Sequence, residues 1–250
     1  MRSVDQLFQR LSRFAARHAG CRWLPLNKRQ GVVSFSFDDV PASACQIGAD
    51  IFERHQLRAS FYVCGKLTDG VEQNQPCHSV SDLQRLEKNG HEVACHTHSH
   101  LNCATTNLSR LEQDWDQNRR FFQQHAIATA ETTGFAFPFG AYGLPAKLAA
   151  RQRFAYSRIT GGGTQLGRAD LYALRAQALY AHQADAQGIQ QLIVQTAAEG
   201  GWLILYSHEV TPNPGPWGTT PAQLEETIQA ALHASCKILP VRDAIAYFQS

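Results

Sequence analysis

The chain has 250 residues, a net charge of +2 and a pI near 8.2. That length buries a full core in one domain, and α/β barrels commonly reach it undivided. The mild charge, with no dense Lys/Arg tract after the first thirty residues, excludes a nucleic-acid partner.

Residues 3–18 set Val4, Leu7, Phe8, Leu11, Phe14 and Ala15 at helical spacing, with Arg10, Arg13 and Arg17 largely elsewhere around the helix. This predicts an amphipathic helix packed across one end of the domain. Contact of that helix with a membrane surface is the alternative, disfavoured by its modest apolar face. The longest early apolar run, Phe14-Ala15-Ala16, is far short of a signal-peptide core, and no later segment approaches a membrane span. The expected location is therefore the cytoplasm, with no transmembrane segment. Residues 1–30 read as this helix and a lead-in, and 31–250 as a single domain.

From Gly31 onward short apolar runs alternate with amphipathic stretches. Strands are predicted at 32–37, 59–63, 92–95, 134–137, 155–159, 171–179, 202–207 and 237–240, with helices at 42–55, 81–89, 109–125, 145–151, 186–199, 221–234 and 241–248. Ser79 and Ser81 before Leu83 and Leu86 mark a helix start, and Gly90 marks its stop. The repeated βα order predicts an α/β fold whose parallel sheet is closed or nearly closed into a barrel. Gly161-Gly162-Gly163 is a loop and not a phosphate cradle, because no helix signal with Lys-Ser/Thr follows it.

Four segments carry chemistry. In Ser36-Phe37-Asp38-Asp39 an apolar strand ends in two carboxylates, where the carboxyl ends of barrel strands form the active-site face. At a strand-to-loop bend both reach one cavity, one as metal ligand and the other as proton acceptor. For the pair alone, a solvated turn or helix cap is the commoner explanation. His96-Thr97-His98-Ser99-His100 follows the strand at 92–95. The four-residue spacing puts His96 and His100 on one face of a helical turn with His98 turned away, and a carboxylate from elsewhere completes a catalytic site with room for water. Phe135 to Gly140 is a strand broken at Pro138, a turn able to point a backbone N–H into the site. The strand at 202–207 ends at His208, placed to protonate a leaving amine.

The seven cysteines include no CxxC pair. Free buried thiols are the expectation, with a Cys77 to Cys103 disulfide as the alternative.

In order and spacing these four segments resemble the polysaccharide deacetylases of carbohydrate esterase family 4, from about Gly31 to the C-terminus. The resemblance implies a distorted (β/α) barrel of about seven parallel strands, to which the N-terminal helix is an addition, so that 31–250 is the catalytic domain. It further implies Asp38 as general base and Asp39, His96 and His100 as ligands to a divalent ion, zinc in the first place with other transition metals open. The Phe139 N–H becomes an oxyanion donor and His208 the general acid. The implied activity is hydrolysis of an N-acetyl group from an N-acetylated sugar in a polysaccharide, glycolipid or precursor. Phe139, Tyr142, Trp202 and Trp217 are candidates to stack on a sugar, Trp217 above the others.

Two departures stand out. Ala136 occupies the position where many members carry an arginine that orients the base, and no clear fourth motif lies near Tyr156-Ser157-Arg158. Arg158 is the candidate replacement for that arginine, and Asp170 or Glu209 the candidate support for His208. The same departures motivate an alternative, a glycan-binding pseudoenzyme. A second alternative is a deformylase or cyclic amidase using the same site.

Overall fold

The computed structural model describes residues 4–72, 74–127, 134–183 and 186–250. Seven parallel strands close into a barrel: β1 (Val32–Asp38), β2 (Ser60–Val63), β3 (Glu92–Cys95), β4 (Phe135–Ala136), β5 (Ser157–Thr160), β6 (Leu174–Ala178) and β7 (Trp202–Ser207). The ring is sealed by six register pairs between β7 and β1, from Trp202 opposite Val32 to Ser207 opposite Phe37. On its other edge β1 pairs first with the short β8 (Lys237–Ile238) and then, from Ser36 onward, with β2. That shared edge distorts the barrel.

Because parallel strands are covered on both faces, they read as continuous buried runs, and every residue of β1, β2 and β3 is buried. The two-residue period still divides them. Val33, Phe35, Phe37, Phe61, Val93, Phe135, Leu203 and Leu205 belong to the layer between barrel and helices, where they pack with Phe52, Leu83, Trp115 and Ile228. The interior instead holds even-numbered residues, among them Val32, Tyr62, Ala94, Ala136, Tyr156, Leu174, Ala176, Trp202 and Ile204. The inward small residues leave room for the large ones.

The helices are α1 (Val4–His18), α2 (Ala49–Arg54), α3 (Val80–Lys88), α4 (Leu108–Gln124), α5 (Leu144–Arg153), α6 (Ala186–Glu199), α7 (Pro221–His233) and α8 (Val241–Gln249). Ser79 caps α3 in a reciprocal capping box with Asp82. The predicted helix at 42–55 enters through a π turn, Ala44–Gly48, before becoming α2. The predicted strand at 171–179 is shorter in the barrel. The chain before it, Arg168–Asp170, pairs antiparallel with Trp23–Pro25 and ties the lead-in to the barrel.

Residue 3, the predicted start of α1, and the side chains of Val4, Leu7 and Phe8 lie outside the described residues. The rest of α1 packs on α5. It docks through buried Ala16 and through Ser12, whose Oγ accepts the Leu144 N–H, while Leu11 and Phe14 are exposed. No described helix is long and apolar enough to cross a membrane. All seven cysteines are free thiols, so Cys77 and Cys103 are not bridged.

Candidate active site

The inward parity brings Asp38, at the end of β1, and His96, just past β3, to the carboxyl-end mouth. Asp39 follows a turn of hand: it and Val40 have φ of 57° and 54°. Thr97 (63°), His100 (53°) and Phe139 (60°) are also left-handed, so among the described residues five of the ten such non-glycine residues lie in these loops. Each costs on the order of 1–3 kcal/mol and persists only where its surroundings enforce it. The segment from His96 to His100 is accordingly a loop and not the expected helical turn. Its two left-handed residues, in place of helical spacing, bring the imidazoles to 5.2 Å between centroids.

One ligand atom from each of Asp39, His96 and His100 lies within 4.8 Å of the others, and His98 is not in the group. Asp39 Oδ1 is 3.9 Å from His96 Nε2 and 3.5 Å from His100 Nε2. Ligands about 2.1 Å from a tetrahedral ion are separated by about 3.4 Å, close to the Asp39–His100 separation and somewhat shorter than the others, so the set could hold a divalent metal. Its chemistry fits as well. His96 Nδ1 is 2.8 Å from the Ala136 carbonyl, which selects the Nδ1–H tautomer and leaves the Nε2 lone pair facing Asp39. Burial lowers the His96 pKa to about 3, and it also lowers that of His100, so both rings are neutral. Burial raises Asp39 to about 6, with the nearby His208 opposing and Asp38 adding to the rise. Such a carboxylate lacks the countercharge that a cation supplies. Cys64 Sγ, 3.6 Å from Asp39 Oδ1, is no fourth anionic ligand, because burial pushes its thiol well up.

Asp38 is buried beside this set. Arg158 Nη2 donates to both its oxygens at 2.5 Å. Burial opposes ionisation of Asp38, but the guanidinium charge, with smaller help from His96 and His208, holds its pKa below the ordinary value. Arg158 is itself fully buried, and its Nε and Nη1 have no hydrogen-bond partner. Its carbon Cζ lies 5.0 Å from the Tyr62 ring and 5.1 Å from the Tyr206 ring, so two aromatic faces enclose the cation. Tyr62 lies outside the sequence motifs and Tyr206 lies within the last of them with no role assigned to it, although inward parity on β2 and β7 marks both positions.

His208 Nε2 stands 3.9 Å from Asp39 Oδ2. Its Nδ1 is 3.1 Å from the Trp217 carbonyl. Neither proposed acidic support reaches it: Asp170 is engaged by Lys147, and Glu209 accepts the Gly215 N–H. A main-chain carbonyl replaces the expected carboxylate. The Phe139 ring, 65% exposed, lies 4.4 Å from that of His100, and Trp217 is 42% exposed. Tyr142 and Trp202 are core residues at 2% and 0%, so neither can stack on a sugar.

A closed parallel barrel with carboxylates and imidazoles gathered at its carboxyl-end mouth is an enzyme scaffold. The chain belongs to the polysaccharide deacetylase family, whose family model matches residues 26–155, more than half of its length. A bifunctional xylanase/deacetylase of Pseudobutyrivibrio xylanivorans is 30% identical over 90 residues, which are 35% of this chain and 14% of that protein. Among solved structures, the Bc1960 peptidoglycan N-acetylglucosamine deacetylase superposes with a TM-score of 0.62 at 17% identity, covering 88% of this chain and 90% of that one. BA3943, a family pseudoenzyme from Bacillus anthracis, superposes at 0.60 with 13% identity over 86% and 66%. At such identities the structural matches establish the shared fold.

Proposed function

We propose that this chain is a metal-dependent deacetylase that hydrolyses the N-acetyl group of an N-acetylated sugar and releases acetate. The observation that carries this reading is the convergence of Asp39, His96 and His100 within 4.8 Å, with an Arg158-held carboxylate on one side and His208 on the other. Asp39, His96 and His100 would hold the ion, zinc or another divalent transition metal. When bound, such an ion polarises an acyl oxygen and acidifies water.

The protein's own groups supply the rest. Asp38, kept ionised and fixed by Arg158, accepts the proton of the attacking water. The Phe139 N–H, presented by the left-handed turn after Pro138, donates to the developing oxyanion. His208 gives its Nε2 proton to the departing amine. The exposed Phe139 and Trp217 side chains flank the mouth where a sugar ring would lie.

The pseudoenzyme alternative rested on Ala136 and the weak fourth motif. The contact of Arg158 with Asp38 and the contact of the Trp217 carbonyl with His208 provide the two supports that those departures removed. Metal analysis of the purified chain, paired with acetate, formate and ring-opening assays on N-acetylated glycans, N-formyl sugars and cyclic amides, tests the reading. Metal-dependent acetate release is expected. A metal-loaded protein inert on every glycan, or one releasing only formate, would overturn it.

A further inference from the structure

The lead-in and α1 are strongly basic, with seven Lys/Arg and one Asp among residues 1–30. Two of these cations, Arg13 and Arg17, sit one turn apart on α1 and line a cavity of about 490 Å³. Arg168, from the strand paired with the lead-in, and Arg175, from β6, line the same cavity. None of the four forms an ion pair among the described residues. Arg13 and Arg168 are held over aromatic rings, at 5.7 Å from Tyr142 and 4.1 Å from Trp23, and Arg175 Nη2 donates to the Thr164 carbonyl. The one carboxylate in the wall, Asp170, is already engaged by Lys147. All four are exposed and none is paired with a carboxylate among the described residues, so the cavity offers four positive charges to an incoming anion.

A second feature demands the same occupant. Gln165 lines the cavity at 3% exposure; its Oε1 accepts the Arg175 N–H, but its Nε2 has no partner. A buried amide donor left unpaired is unfavourable, and an anion with several acceptor oxygens satisfies it together with the arginines. The planar guanidinium fork matches phosphoryl oxygens in pairs, and a single carboxylate would neutralise only one of four charges.

The cavity adjoins the candidate active site. Thr160, in its wall, packs so closely on Gly140 that a Cβ there would lie 2.1 Å from its Oγ1. Tyr142, also in the wall, lies two residues beyond the Pro138–Gly140 turn that carries Phe139, and its ring is 5.4 Å from that of Phe137.

We propose that this arginine cavity is a phosphoryl-binding subsite, so that the sugar processed at the adjacent site carries a phosphate or pyrophosphate. The assignment of substrate class rests on the deacetylase reading; the binding site itself does not. The N-terminal helix then serves in recognition, supplying two of the four arginines.

Calorimetric titration of the metal-free full chain with inorganic pyrophosphate tests the subsite without turnover. Binding is expected in the parent, at least about tenfold weaker in R17Q/R168Q and unchanged in R110Q, an exposed α4 control. The single variants R17Q and R168Q, each with a smaller loss, guard against a fold defect in the double variant. Absence of binding, equal loss in R110Q, or tighter binding of glucuronate with the same arginine dependence overturns the proposal. In a second arm, the preference in kcat/KM for N-acetylglucosamine 1-phosphate over diacetylchitobiose should fall in R17Q/R168Q. Methyl and farnesyl diphosphate-linked N-acetylglucosamine separate a soluble from a lipid-linked source. Failure of all these sugars to release acetate rejects the deacetylase reading and leaves the pyrophosphate titration to decide the cavity.

Discussion

Arg158 and Ala136 are lateral partners, facing each other across the β4–β5 ladder and pointing into the same barrel interior. The position where many family members carry an arginine is thus filled by a methyl group, and the adjacent strand supplies the guanidinium. Ala136 leaves the space that Arg158 occupies between Tyr62 and Tyr206. Arg158→Ala is expected to lower kcat at least about 100-fold, with little change in KM, because Asp38 loses its anchor. The swap A136R/R158A, which returns the cation to β4, should recover part of that loss. Steady-state kinetics on the three proteins measures both; a swap no better than R158A would show that the two positions are not equivalent.

The roles of the neighbouring carboxylates separate by metal content. Asp38→Asn keeps the shape beside the ion and removes the proton acceptor, so metal stoichiometry should stay at the parent level while turnover falls by about 10²–10⁴. His96→Ala removes a ligand atom and should lose both. Mass-spectrometric metal analysis beside acetate release distinguishes them, and normal activity in either variant would sink the assignments.

The barrel was legible because its strands are contiguous apolar runs, and the clustering of Asp39, His96 and His100 because each motif is compact in sequence. Arg158 was legible from its place at a predicted strand end, but the Tyr62 and Tyr206 rings that enclose it come from strands far apart in the chain, and only lateral register and inward parity assemble the three. The support of His208 was missed for a different reason. A backbone carbonyl, here that of Trp217, has no residue-type signature, whereas carboxylates such as Asp170 and Glu209 do. The His96–His100 spacing pointed to two imidazoles that do approach, but through left-handed Thr97 and His100 and not through a helical turn.

His91 makes the fold sensitive to acid. Its Nδ1 accepts the Ala59 N–H at 3.1 Å, and its Nε2 lies 3.1 Å from Glu53 Oε1, an arrangement that holds the neutral ring. Burial, opposed by Glu53, lowers its pKa from 6.5 to about 4. Between those values the unfolded chain binds a proton that the folded chain refuses, so stability falls as pH drops through the window and His91 contributes no slope above it. The full loss is up to about 3 kcal/mol. Urea unfolding of the parent and of His91→Gln across this range should show a shallower pH dependence in the variant; parallel curves would assign the acid sensitivity elsewhere.

Lys147 fixes α1 to the barrel. Its Nζ is fully buried and donates to Asp170 Oδ2 at 2.6 Å and to the Ala16 carbonyl of α1 at 2.6 Å. Asp170 Oδ1 in turn accepts the N–H groups of Arg22 and Tyr172. Lys147→Met leaves a buried carboxylate without its cation and a helix carbonyl without its donor, and should cost about 3–5 kcal/mol. Adding Asp170→Asn removes the stranded charge while keeping an acceptor for both N–H groups, so K147M/D170N should be more stable than K147M. Urea denaturation of the parent and both variants measures the difference. If K147M were as stable as the parent, or the second substitution brought no recovery, the pair would not be what joins the N-terminal helix to the β5–β6 connection.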